Sequence, residues 1–128
     1  MRLVACSGMV GYGFTEEGFR RGLEMGAAMI GCDAGSMDPG PYYLGRAEPF
    51  VSEEATRRDL GLMLKGAIEF DIPMIIGSAG GGGSDAQIAW TVGILESLAR
   101  ESRLSFKLAV IHSELTADYL NAKIVEDK

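Results

Sequence analysis

The chain has 128 residues, of which 12 are Lys or Arg and 18 are Asp or Glu, and its formal net charge is −6. This length predicts one domain, and the acidic balance excludes a nucleic-acid-binding protein, which needs a basic surface to neutralise phosphates. No apolar run approaches the ~18 residues of a membrane-spanning helix, and the N-terminus lacks the apolar core of a signal peptide. We therefore expect a cytoplasmic protein without membrane contact, whose two cysteines are reduced thiols.

Four short apolar runs predict the strands of a parallel sheet, because they are almost continuous rather than alternating and so fit strands buried on both faces. The runs cover residues 3–6, 27–32, 72–76 and 106–111. Helical stretches separate them and begin at plausible N-caps. These N-caps are Thr15, Ser52, Ser84 and Thr116. The sequence thus predicts a single α/β domain over residues 1–128. We expect a Rossmann-like, three-layer parallel sheet of about four βα units with helices on both faces.

The loop after the first run contains two of the candidate site residues, because ligands of such sheets bind at the carboxyl ends of the strands. Cys6 is a candidate catalytic residue and Ser7 a candidate substrate-binding residue. The loop resembles a dinucleotide-binding fingerprint only in part, since Glu16 stands where the third glycine belongs. We therefore predict no nucleotide cofactor.

Cys32 ends the second run and is expected near Cys6. A thiol pair of this kind suits a cofactor-independent racemase, and a Cys/Cys/His set with His112 would suit zinc. Neither spacing is diagnostic, and buried cysteines are commonly inert core residues. The prediction is therefore a site without a metal ion.

The loop after the second run is long, and long loops in compact domains are often functional. Asp33, at its start, is a candidate acid–base residue. Candidate substrate-binding residues follow it along the loop. They are Ser36, Asp38, Tyr42 and Tyr43. The alternative is a surface excursion that covers an edge strand.

The loop after the third run holds four consecutive glycines directly before a capping box, Ser84 followed three residues later by Gln87. Backbone N–H groups and the positive end of a helix together favour an anion. The candidate ligand-binding residues are Ser78, Gly80, Gly81, Gly82, Gly83 and Ser84. A purely structural turn is the alternative. No lysine follows the glycines, so the loop is not a Walker motif.

The fourth run ends at His112, the single histidine of the chain. A histidine at the carboxyl end of a strand suits a proton shuttle near neutral pH, and we take it as a catalytic candidate. A purely structural role is the alternative.

Three of these segments resemble the N-terminal portion of the acyclic terpene utilisation (AtuA-type) family. They are Cys6-Ser7-Gly8, the strand ending in Cys32-Asp33-Ala34-Gly35, and the run IPMIIGSAGGGGSD before a helix. The resemblance implies catabolism of a branched acyclic acid, as the free carboxylate or the CoA thioester, and it assigns no catalytic residues.

Members of that family are several times longer, so the resemblance also implies the N-terminal part of a longer enzyme or a small subunit of a split one. We expect acid–base chemistry of the hydratase, lyase or isomerase type, without a cofactor, in a homo-oligomer or a complex with a larger subunit. The alternative is a non-catalytic subunit whose glycine-rich loops bind a ligand or a partner chain.

Overall fold

The computed structural model describes residues 1–6, 8–35 and 41–126. In chain order its elements are the strand β1 (Leu3–Ala5), the helix α1 (Glu16–Glu24), β2 (Met29–Asp33), α2 (Pro41–Arg46), α3 (Glu53–Glu69), β3 (Met74–Gly77), a 3-10 turn (Ala79–Gly81), α4 (Asp85–Ser102) and α5 (Ala117–Val125). Ser52, Ser84 and Thr116 each accept a hydrogen bond from a backbone N–H of the helix that follows, as expected of N-caps. Thr15 also occupies the N-cap position but its side chain accepts no such bond.

The three strands form a parallel sheet in the order β1-β2-β3. In the register, Leu3 is opposite Met29, and Ile30 is opposite Met74. The predicted α/β class and the parallel pairing are confirmed. Because the strands run in one direction, their carboxyl ends meet at a single edge.

The fourth apolar run does not join this sheet. Residues 105–115 belong to no helix or strand and form no backbone–backbone hydrogen bond with any described residue. The prediction of about four strands is wrong on this count, and the sheet has three. The apolar pattern reports β-propensity and burial, whereas a strand also needs a neighbour at hydrogen-bonding distance, which the pattern does not specify.

The helices also differ from the predicted three layers. Helix α1 packs on β1 and α3, and α3 packs on β2, β3 and α4, so the long helices share one face of the sheet. On the other face, Leu3 is 58% and Ile75 55% exposed. The reason is topological: strands added one after another in one direction by right-handed crossovers place every connecting helix on the same side.

A buried carboxylate fastens the loop after β1 to the central helix α3. Asp59 is 1% exposed, and its Oδ2 accepts hydrogen bonds from the N–H groups of Gly11 (2.8 Å) and Gly13 (3.0 Å). Its Oδ1 lies 2.6 Å from the guanidinium of Arg58, which also donates to the carbonyl of Phe14. A buried carboxylate is tolerated when it is paired and fully hydrogen-bonded in this way.

We predict that Asp59→Ala lowers the free energy of unfolding by about 3 kcal/mol, because it leaves the two N–H groups and the guanidinium without their acceptor. Urea unfolding followed by circular dichroism measures the change. Lys65→Ala, at an exposed position of the same helix, is the matched control and is expected to stay within about 0.5 kcal/mol of the parent. Equal stabilities of the two variants would show that the hydrogen bonds and the ion pair of Asp59 contribute little to stability.

Candidate functional site

The parallel sheet brings three predicted site residues to one edge. Cys6 directly follows β1, Asp33 ends β2, and Ser78 directly follows β3. Ser7, Ser36 and Asp38 lie outside the described residues.

Asp33 is held by its own backbone turn and its carboxylate remains exposed. Its Oδ1 accepts a hydrogen bond from the N–H of Gly35 at 2.9 Å. The segment after it packs directly on the next loop, because a Cβ built on Gly35 would lie 2.6 Å from the Cβ of Ser78. Asp33 and Ser78 therefore belong to one continuous surface, as the sequence predicts.

The glycine-rich turn has a backbone that few other residues could adopt. Ser78 has a left-handed conformation at φ 46°, and Gly80, Gly81 and Gly83 also have positive φ. A Cβ on Gly80 would lie 2.5 Å from the Cβ of Gln87. Glycine is therefore needed at position 80 for packing as well as for backbone conformation.

The buried amide of Gln87 takes up donors that the sequence assigns to an anion. Its Oε1 accepts hydrogen bonds from the N–H groups of Gly82 (3.1 Å) and Ser84 (3.2 Å). Its Nε2 donates to the carbonyl of Glu48 at 2.9 Å. The N–H groups of Gly81 and Gly83 donate to carbonyls within the same turn. The contacts of residues 81–84 thus match the alternative of a structural turn, and an anion would have to displace them.

A further acceptor already lies at the first turn of α4. The N–H of Asp85 donates to Oε2 of Glu114 at 2.6 Å. This carboxylate comes from the segment that follows the fourth apolar run. It satisfies one of the donors that a helix start leaves without an intrahelical partner.

His112 and Asp85 form a close pair beside the glycine-rich turn. Their Nδ1 and Oδ1 atoms are 2.7 Å apart, and both side chains are exposed. An ionised carboxylate has no proton to donate, so the hydrogen bond between the two side chains requires the proton to be on Nδ1. In the neutral imidazole, Nε2 then has a free lone pair and can act as a base. The structure thus gives the predicted proton shuttle an orienting partner.

Asp85 of this pair lines a cleft of about 710 Å³, which is within the size range of small-molecule sites, while His112 adjoins the cleft through Asp85 and is not itself a lining residue. Predicted ligand-binding residues Gly82, Gly83 and Ser84 line it together with Asp85 and Glu114. Its apolar lining comes from α2, from the segment before α5 and from α5 itself. These apolar residues are Leu44, Leu115 and Leu120.

The two predicted tyrosines lie on α2 outside this cleft. The Tyr43 ring packs against that of Phe50, with 5.1 Å between ring centroids, and Tyr42 packs on Tyr43 at the same distance. The Arg46 guanidinium lies over the Tyr42 ring. These contacts hold α2 above the glycine-rich turn, because a Cβ on Gly81 would lie 3.6 Å from Phe50. The tyrosines thus position one wall of the cleft.

Cys6 lies near Cys32 and Asp59. Burial is the main cause that raises the pKa of Cys6 to about 12, and the neighbouring Cys32 and Asp59 raise it further. The side chain is a neutral thiol near pH 7, which is not the nucleophilic form.

The parts of the chain that the structure describes contain no cluster of three or more His, Cys, Asp or Glu side chains arranged to hold a metal ion. None of the helices among them has both the length and the apolar character to cross a membrane.

Comparison of the chain with protein-family models, curated proteins and solved structures finds no match in any of the three.

Sequence reasoning missed three residues of this region. The sequence pattern gives no role to Asp85 or Glu114, and it indicates Gln87 only as half of a capping box. The available signal was the capping box, because a buried Gln at that position can bind the preceding loop as well as the N-cap. The contacts of Asp85 with His112 and Glu114 span 27 and 29 residues and have no local signature.

The steric fit at Gly80 leads to a stability prediction. Gly80→Ala adds a Cβ against the backbone and Cβ of Gln87 and forces a left-handed alanine, so we expect a loss of about 2–3 kcal/mol. Gly93→Ala in α4, where a Cβ meets nothing within 4 Å, is the matched control and should gain up to about 1 kcal/mol. Urea unfolding of both variants measures the difference. Similar stabilities would contradict the packing described here.

The raised pKa of Cys6 has consequences for both reactivity and pH dependence. Iodoacetamide should label Cys6 far more slowly than a free cysteine at pH 7, as peptide mass spectrometry can show, because the thiolate is scarce. The folded chain holds this proton more tightly than the unfolded chain does. The resulting stabilisation is therefore full below the ordinary thiol pKa of 9.0 and is lost as the pH rises towards about 12. Cys6→Ser should reduce that alkaline loss, and an unchanged pH profile in this variant would contradict the assignment.

Proposed function

We propose that this chain is a catalytic α/β domain that carries out acid–base chemistry on a small branched acyl group, by hydration, dehydration or isomerisation. The observation that carries the proposal is the pair formed by His112 and Asp85, 2.7 Å apart, beside a cleft of about 710 Å³. Nε2 of His112 is the proposed base, and Asp85 orients the ring and stabilises the imidazolium that forms when the base takes a proton.

The composition of the cleft favours a thioester over a free carboxylate. The carboxylates of Asp85 and Glu114 line the cleft, so a negatively charged ligand group would be repelled there. The neutral acyl part of a thioester avoids this repulsion, and the leucine side chains of the walls suit a branched hydrocarbon. The resemblance to AtuA-type proteins points to the same class of substrate.

Asp33 is the second acid–base candidate in this proposal. Its exposed carboxylate is connected to the cleft through Ser78 and Gly83, since a Cβ on Gly83 would lie 3.6 Å from the Cα of Ser78 and 3.9 Å from Oγ of Ser113. A base on one side of the turn and a carboxyl on the other could serve the two proton transfers of a hydration or an isomerisation.

The alternative is a ligand-binding subunit without catalysis. It is favoured by the large apolar surface of the last part of the chain, where Ile111 is 84% and Val125 86% exposed. Surfaces of this kind mark contacts with other proteins. In either case we propose that the chain works in a homo-oligomer or with a larger subunit. We also propose a cytoplasmic location, because the two cysteines form no disulfide and the cytoplasm keeps thiols reduced.

Deuterium exchange tests the catalytic proposal. Isovaleryl-CoA is incubated with the chain in D₂O, and mass spectrometry follows deuterium uptake next to the thioester carbonyl. We expect uptake that is at least about 100-fold slower with His112→Gln and also slower with Asp85→Asn, because the first removes the base and the second its orientation.

Glu96→Gln, an exposed carboxylate on the same helix α4, is the matched control and should exchange like the parent. Calorimetric titration of isovaleryl-CoA distinguishes the two functions. Binding without exchange in the parent chain supports the non-catalytic subunit, whereas exchange that is the same in the parent and in His112→Gln refutes the assigned base.

A further inference from the structure

An apolar slot runs along the open edge of the sheet. One wall is β3, the other is the segment 107–111, and the floor is one face of α4. The cavity between them measures about 420 Å³. The floor consists of Ile88, Thr91, Val92 and Leu95. We call this cavity the β3 slot.

The backbone of β3 has hydrogen-bonding groups directed into the slot. The carbonyls of Pro73 and Gly77 accept from the N–H groups of Ile30 and Ala34 in and beside β2. Because successive residues of a strand direct their N–H and C=O groups to opposite sides, those of Met74 and Ile76 point away from β2. No described residue bonds to them, since β3 pairs with β2 alone.

The backbone of the opposite wall also lacks a hydrogen-bonding neighbour. Residues 107–111 belong to no helix or strand, and they share no backbone–backbone hydrogen bond with the rest of the described chain. Their side chains are apolar apart from Lys107, yet Leu108, Val110 and Ile111 are 46%, 42% and 84% exposed. The segment thus has the apolar sequence of a strand, and its backbone groups have no strand beside them to pair with.

We infer that the β3 slot receives one extended strand from a partner polypeptide, which bonds to Met74 and Ile76 on one side and to residues 107–111 on the other. The sheet would then continue as β1-β2-β3, the partner strand, and 107–111. Alternate side chains of the incoming strand would pack on the α4 floor, as strand addition to an open edge requires.

Two features select the occupant. Lys107 lines the slot as its one charged residue and has no ion-pair partner within the described ranges, so an acidic side chain on the incoming strand would complement it. A second copy is a poor occupant. The unpaired apolar segment that it could offer is 107–111, which already forms a wall of its own slot, and each copy carries a net charge of −6.

A strand peptide of defined sequence tests the inference with the chain as it is. The probe is a fluorescent, end-blocked heptapeptide that alternates Val with Thr and has Glu at its centre. Fluorescence anisotropy should show saturable binding. Binding should slow amide exchange at Met74 and Ile76 by about tenfold or more, because these N–H groups become hydrogen-bonded. Ile75, whose N–H faces β2, is the internal control and should be unaffected.

Peptide and chain variants make the test specific. N-methylation of alternate peptide amides should raise the Kd by about tenfold or more, because it removes the N–H groups that donate hydrogen bonds to the backbone carbonyls of the slot walls. Val92→Lys should weaken binding similarly by placing a charge in the floor, with circular dichroism confirming that the variant is folded. Lys107→Glu should weaken the Glu peptide and restore binding of a peptide with Lys at its centre.

Two outcomes would overturn the inference. Equal affinity for the N-methylated and the unmodified peptide would mean that the slot binds by apolar contact alone, without backbone hydrogen bonds. Sedimentation of the chain as a dimer, with Met74 and Ile76 already protected from exchange and no peptide binding, would mean that a second copy fills the slot. Neither outcome bears on the deuterium exchange that tests His112, so the two proposals fail separately.

Discussion

The carboxylate of Asp59 is the constraint on which the arrangement of the site edge depends. Among the residues that the structure describes, it is the one buried charged side chain. It holds the loop after β1 against α3 through the N–H groups of Gly11 and Gly13. The same loop places Val10 in the core, where its N–H donates to the carbonyl of Asp33 at 2.9 Å. One buried charge thus connects the central helix to the carboxyl ends of two strands.

A second polar group, the amide of Gln87, has a similar role on the other side of the edge. It joins the glycine-rich turn, the start of α4 and the segment at Glu48 through hydrogen bonds of 2.9–3.2 Å. Both groups accept hydrogen bonds from backbone N–H groups of the loops, and each also contacts one side chain, Arg58 for Asp59 and Ser84 for Gln87. The loops at this edge are therefore fixed by a few buried polar groups, while the side chains of Asp33, Asp85 and His112 remain exposed. Such a division between rigid support and exposed chemistry is what an acid–base site needs.

The sequence predicts the parts of the fold that depend on local pattern. The three apolar runs that became strands, the caps at Ser52 and Ser84, and the positions of Asp33 and Ser78 at strand ends all follow from periodicity and helix signals. The sheet has three strands instead of about four, and its long helices share one face instead of covering both, because strand pairing and helix placement depend on which elements become neighbours. Likewise, the contact of His112 with Asp85 depends on the path of residues 103–112, for which no local rule exists.

Helix α5 combines an intact N-cap with the absence of any buried residue. A helix of nine residues is marginal in water by itself, and here little packing adds to its stability. Its amides should therefore exchange through local opening that leaves the sheet intact, while those of α3 should exchange only when the whole domain unfolds. The chain is then not a single cooperative unit. The free energy of unfolding of its last segment is lower than that of its core. Any partner that orders this segment must therefore offset the conformational entropy that the segment loses.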